Sequence, residues 1–199
     1  MENYDSTERR LTCNRIYRYL MSYHLEKFTG KVKVNCQPNL SWNFYFSEGH
    51  LIWANGGNSP WKRWERQFYS ATGQFPTSTP MDENLECWNC TEFRKLIDSN
   101  ALSQEQIKMI IRGTLEEVLF DVVRSFEATL YQSFQESRTL LSLSQLMERE
   151  DNMVVEAEAG VKPDPYYELP DHLFPSLKEL QETTYNTWQQ WIKILLSNH

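Results

Sequence analysis

The chain has 199 residues and carries 27 Asp and Glu against 20 Lys and Arg, a net charge of −7. That acidic balance, with a pI near 5.2, argues against a general nucleic-acid binder, which needs a basic surplus, and against docking on an anionic membrane surface. Forty per cent hydrophobic and 14% aromatic content suffice for the core of one domain with an appended segment and exclude wholesale disorder.

Residues 7–28 are expected to form a helix, with Leu11, Ile16, Tyr19, Leu20, Tyr23 and Phe28 roughly on one face, a capping-box spacing at Asp5 and Glu8, and Gly30 as its stop. "KVKVNC" alternates like a half-buried strand. "WNFYF" and "LIWAN", joined by "SEGH", predict a β-hairpin whose Trp53 belongs to the core. A helix follows from "SPWKRWERQF", with Ser59 as N-cap, Pro60 at the first helical position and Gly73 at the stop. Trp61, Trp64 and Phe68 share one face of it, so at least one tryptophan is core, and Lys62, Arg63 and Arg66 mostly take the other.

Residues 73–90 read as a loop, and "TEFRKLID" as a short helix. The clearest helix starts at a Ser103/Gln106 capping box. Its stripe is Ile107, Ile110, Ile111, Leu115, Val118, Leu119, Val122 and Phe126, and Gly113 within it marks either a close contact or a break. "ATLYQSFQ" reads as a strand, and "NMVVEAEA" as an edge strand. "GVKPDPYYELPDH" is a Pro-rich linker. The last helix carries a stripe of Leu177, Leu180, Thr184, Trp188, Trp191 and Leu195. The order is neither a βαβ alternation nor a repeat, and an α+β fold fits it best: a small antiparallel sheet with a β-hairpin, segregated helices and a long C-terminal helix.

Chemistry is sparse. No apolar run reaches the ~18–20 residues of a membrane span, and the N-terminus lacks the apolar core of a signal peptide, so the expected address is cytoplasmic. No nucleophile–base motif or Walker loop is present, and His24, His50, His172 and His199 are scattered. Glu116 and Glu117, adjacent on a helix, point apart and suit a solvated face. "CWNC", at Cys87 and Cys90, lacks a second ligand pair, so reduced thiols are expected rather than zinc. "NGGNSP" is either a phosphate cradle at a helix N-terminus or only a tight connection. Trp61, Lys62, Arg63 and Trp64 could stack on bases, but one such cluster on an acidic chain speaks against nucleic acid.

The run "FTGKVKVNCQPNLSWNFYFSEGHLIWANGG", taken with "GTLEEVLFDVVRSFEATLYQSFQ", resembles the PATAN domain, the N-terminal domain of cyanobacterial PatA-type response regulators. Phe28, Gly30, Tyr45, Phe46, Gly49, Leu51, Ile52 and Ala54 match its hairpin pattern. Glu117, Phe120, Val122 and Phe134 match its helix leading into a strand. The resemblance implies a domain over 1–160, with a helical insertion at about 58–102, and a linker and helix over 161–199 of the kind that precedes a receiver domain. No receiver-like set of clustered acidic residues with a distant lysine occurs, which leaves an excised output domain or a stand-alone version; excision is the expectation, because a natural chain end rarely follows so strong a helix.

The resemblance implies a non-enzymatic effector without cofactor or metal. It would act by protein–protein contact in phototaxis, type IV pilus motility or cell differentiation, for example on a pilus motor ATPase or its assembly proteins, under a receiver domain in cis. Aromatic and Arg side chains are enriched at interface hot spots, which makes Trp61, Lys62, Arg63, Trp64 and Arg66 the candidate partner-binding set. Trp188, Trp191 and Leu195 on the last helix are candidates for packing on the domain, homodimer pairing or receiver docking. The alternative function is a small-ligand or metal sensor using the CWNC or NGGN segments.

Overall fold

The computed structural model describes residues 6–37, 40–76, 88–136, 154–160 and 169–197. Helix α1 (Ser6–Leu25) leads into strands β1 (Gly30–Gln37), β2 (Leu40–Ser47) and β3 (His50–Gly56). Helices α2 (Pro60–Thr72), α3 (Trp88–Asp98) and α4 (Gln104–Glu136) follow, then β4 (Val154–Ala159), a 3-10 turn at Asp171–Leu173 and helix α5 (Leu177–Ser197). The strands form one antiparallel sheet in the order β3-β2-β1-β4. This is the α+β fold expected, with β4 at an edge.

Alternation sorts the sheet into two faces. Val32, Val34, Trp42, Phe44 and Ala54 are buried on the face toward α4. Their registered neighbours Lys33, Asn43, Tyr45 and Trp53 point the other way. There Trp53 stacks on Phe93 of α3, with centroids 5.5 Å apart, and Phe93 meets Trp64 of α2 edge-on. On β4, Glu156 and Glu158 stand opposite Lys33 and Lys31, and Lys31 Nζ reaches Glu158 at 2.7 Å. The hairpin turn is two residues long, Glu48 and Gly49, both left-handed at φ 48° and 82°, the backbone twist that two-residue hairpins favour.

The α4 stripe is buried as expected from Ile107 to Phe126. Ser103 and Gln106 make the reciprocal capping hydrogen bonds, at 2.9 and 3.3 Å. Gly113 marks a close contact and not a break: a Cβ there would collide with the Gln67 side chain of α2. The expected strand at "ATLYQSFQ" is helix, the continuation of α4 to Glu136. Its alternation is also compatible with an i, i+4 helical pattern, and a helix already running is cheaper to extend than to restart.

Two boundaries differ in cause. Helix α1 stops at Leu25, with Lys27 in the left-handed region and Phe28 N–H donating to Tyr23 O at 2.9 Å, a Schellman-type ending upstream of Gly30. Tyr19 is 38% exposed, and Tyr17 takes the buried position instead, sharing a 3.0 Å hydrogen bond with Thr184 of α5. Asp5 lies outside the described residues. The stretch expected as an insertion is structural on both helices: α2 lies along α4, and α3 covers the second sheet face.

Candidate functional site

Helix α2 begins after Asn55 and Gly56 bring β3 to the edge of the sheet. Pro60 occupies its first turn and Gly73 closes it in the left-handed region, with Gly73 N–H donating to Tyr69 O at 2.8 Å. Ser59 sits at the N-cap position, but its backbone is left-handed and its hydroxyl makes no capping bond. Arg63 reaches back to donate from Nη1 to Gly56 O at 2.8 Å, tying the helix to the end of β3.

Arg63 is the first correction to the candidate set. It is 3% exposed, not on a solvent face. Its Nη2 lies 3.5 Å from Asp121 Oδ2 and its Nε 3.7 Å from Glu117 Oε1, both on α4. Burial pushes the guanidinium pKa down, and Glu117 and Asp121 pull it back up; an arginine stays charged under such opposing pulls. Asp121 Oδ2 also accepts the Trp42 indole N–H at 3.1 Å, and Oδ1 accepts from Arg124 at 2.7 Å. Arg66 pairs with Glu117, and Gln67 donates to Glu117 Oε2 at 2.8 Å. Glu117 therefore faces α2 and Glu116 pairs with Arg112 at 2.8 Å, so neither carboxylate is simply solvated.

Trp64, 3% exposed, belongs to the core beside Phe68 and Phe93, which also removes it from any surface. Trp61 and Phe68 are half-buried against that core. Of the five sequence candidates, Lys62 and Arg66 are exposed, and Arg66 is already engaged with Glu117. The outward surface of α2 instead ends in a pair that the sequence did not single out. Tyr69 and Phe75 stack with centroids 4.7 Å apart while 48% and 65% exposed. Their i, i+6 spacing across the Gly73 stop was the only signal, and it matches no helical face.

The NGGN turn is not open for a phosphate. Gly57 N–H is spent on Ser41 O at 2.8 Å, and the Asp121 carboxylate stands against Gly57, so an anion would meet like charge. Cys90 lies in the first turn of α3 and is disulfide-bonded, which corrects the expected reduced thiol; Cys87 lies outside the described residues. Among the described residues no cluster of three His, Cys, Asp or Glu stands ready for a metal ion. Nor, among the described residues, is any helix long and apolar enough to cross a membrane.

The α5 stripe packs on its own domain. Leu177, Leu180, Thr184 and Trp188 are buried, and Trp191 lies half-buried and edge-on to Phe120 of α4 at 6.3 Å. Leu195 lies in the helix, but its side chain is outside the described set. A cleft of 260 Å³ opens where α1, the hairpin turn and the start of α5 meet, with His24 and His50 on its wall. Set against family models, curated proteins and solved structures, the chain matches none of them.

Proposed function

We propose that the chain is a signalling output domain of the PATAN type, the non-enzymatic effector of a cyanobacterial two-component response regulator. It would act by contact with another protein, such as a pilus motor ATPase or its assembly proteins, in motility, phototaxis or cell-differentiation signalling in the cytoplasm. A receiver domain in cis would govern that contact.

One observation carries the reading. Four residues of the resemblance, Phe28, Gly30, Phe46 and Gly49, meet at one corner of the fold. Gly49 N–H donates to Phe28 O at 2.9 Å, Gly30 is registered opposite Phe46, and the rings of Phe28, Tyr23 and Phe46 stand 5.0 to 6.3 Å apart. A spacing pattern that builds one packed unit is better grounded than the same letters spread over a surface. The partner-facing patch is then Tyr69 and Phe75, with the exposed Lys62 two turns earlier on α2, aromatic surface of the kind enriched at interface centres.

The test is biolayer interferometry of the immobilised chain against purified pilus motor ATPase and its assembly proteins. Saturable binding that Phe75→Ala and Tyr69→Ala weaken, with the fold intact by circular dichroism, supports the reading. An absence of saturable binding to any of these proteins overturns it.

A further inference from the structure

The cleft between α1, the hairpin turn and the start of α5 has an apolar floor and an unusual rim. Met21, Leu51 and Phe174 supply apolar surface, and His24, His50, Asp171 and Lys178 surround it. The His24 ring is fixed: Gly49 O can only accept, so Nδ1 donates to it at 2.8 Å and Nε2 is left as an acceptor. His50 lies edge-on to it, 6.2 Å away. Neither the Lys178 ammonium nor the Asp171 carboxylate has an ion-pair partner among the described residues, although both line one cavity.

The start of α5 adds donors. Ser176 and Glu179 satisfy each other in a capping box, with Ser176 N–H donating to Glu179 Oε2 at 2.9 Å and Glu179 N–H to Ser176 Oγ at 3.2 Å. Glu179 is thereby held below the usual carboxylate range, chiefly by the Ser176 backbone hydrogen bond. The N–H groups of Leu177 and Lys178, in the same first turn, have no acceptor within the helix. A small pocket with an apolar floor and a few convergent polar groups is the usual form of a small-molecule site. Its unpaired groups here are of both signs, which a simple anion or a simple cation would satisfy only by half.

We propose that this cleft binds a small zwitterion of the apolar α-amino acid class. The carboxylate lies toward Lys178 and the free N–H groups of α5. The ammonium lies toward Asp171, and the side chain covers Met21, Leu51 and Phe174. The site is separate from the Tyr69–Phe75 patch and stands whether or not the output-domain reading does. Occupancy would fasten the first turn of α5 to the hairpin.

The experiment is a ¹H–¹⁵N NMR titration of the whole chain with L-leucine, L-methionine and L-phenylalanine, with N-acetyl-L-leucine and 3-methylbutylamine as comparison probes. Expected are saturable shifts at His24, His50, Leu177 and Lys178. Lys178→Ala and Asp171→Asn should each weaken the best amino acid about tenfold, the size of one lost charge-assisted hydrogen bond. Both residues are exposed, so both variants should keep the wild-type spectrum away from the cleft. N-acetyl-L-leucine should bind more weakly and be indifferent to Asp171→Asn, and 3-methylbutylamine indifferent to Lys178→Ala. No saturable shift with any of the three amino acids overturns the proposal. So does N-acetyl-L-leucine binding as tightly as L-leucine, which would make this a plain anion site, or binding that survives both substitutions undiminished.

Discussion

Nη2 of Arg63 lies 3.5 Å from Oδ2 of Asp121, the same oxygen that accepts the Trp42 indole N–H at 3.1 Å. Strand, first helix after the hairpin and central helix thus meet at one carboxylate. Removing one member of a buried charge pair leaves the other desolvated and uncompensated, which outweighs the loss of the attraction itself. Arg63→Met is expected to cost about 3 kcal/mol in urea unfolding. Asp121→Asn is also destabilising, and the double variant costs less than the sum because the two share one network. Strict additivity would show that the two side chains do not act together.

Gly57 and Gly73 make a controlled comparison. Both are left-handed, at φ 71° and 72°. A methyl at Gly73 meets nothing within 4 Å, whereas at Gly57 it would run into the Trp42 indole and the Asp121 carboxylate. Gly73→Ala carries only the conformational penalty, about 1 kcal/mol. Gly57→Ala adds a steric clash with the polar seam, so it should cost clearly more and change Trp42 fluorescence. Equal losses would mean that the seam yields to a methyl group freely.

Much of the fold was legible because backbone chemistry is local. The Glu48–Gly49 turn, Pro60, Gly73 and the Ser103–Gln106 box each act over a few residues, and the α4 stripe repeats often enough to be unmistakable. What failed was non-local. Arg63 was assigned to solvent because charged side chains are seldom buried, and its burial depends on Asp121, which lies 58 residues away. One signal was available: Asp121 interrupts the apolar stripe between Leu119 and Val122, and a carboxylate in a buried stripe requires a cation from elsewhere. Tyr69 and Phe75 were missed because a stop separates them, so no periodicity joins them. Residues 128–135 were misread because alternation and helical spacing coincide over so short a run.

Cys36 gives a pH prediction. It is buried beneath the sheet, and burial, with a smaller contribution from Asp121, pushes its thiol from 9.0 up to about 12. Between those values the unfolded chain ionises and the folded chain does not. The contribution to stability is therefore complete below pH 9.0 and is lost as the pH rises toward about 12. Tyr23, raised by burial and then by Glu26 and Tyr19, acts in the same direction. The urea midpoint should fall through this alkaline range, and Cys36→Ala should make the fall shallower. The native thiol should resist iodoacetamide near neutral pH, since the thiolate is the nucleophile. Rapid alkylation of Cys36 in the folded protein would contradict the burial.

Helix α5 separates two roles that one amphipathic stripe can play. Trp188 is 2% exposed within the core, while Ile194, farther along the same helix, is 60% exposed. With Leu180, Thr184 and Trp188 already committed to α1 and α4, any pairing of two copies through α5 must use the Ile194 side. Trp188→Ala should cost about 3–5 kcal/mol, as truncation of a buried tryptophan does. Ile194→Glu should change stability by no more than about 0.5 kcal/mol. Sedimentation at high protein concentration should give the same monomer mass for the native chain and Ile194→Glu. A concentration-dependent dimer that Ile194→Glu abolishes would instead make α5 a pairing surface as well as a packed one, with its inner stripe holding the domain together and its outer side joining two copies.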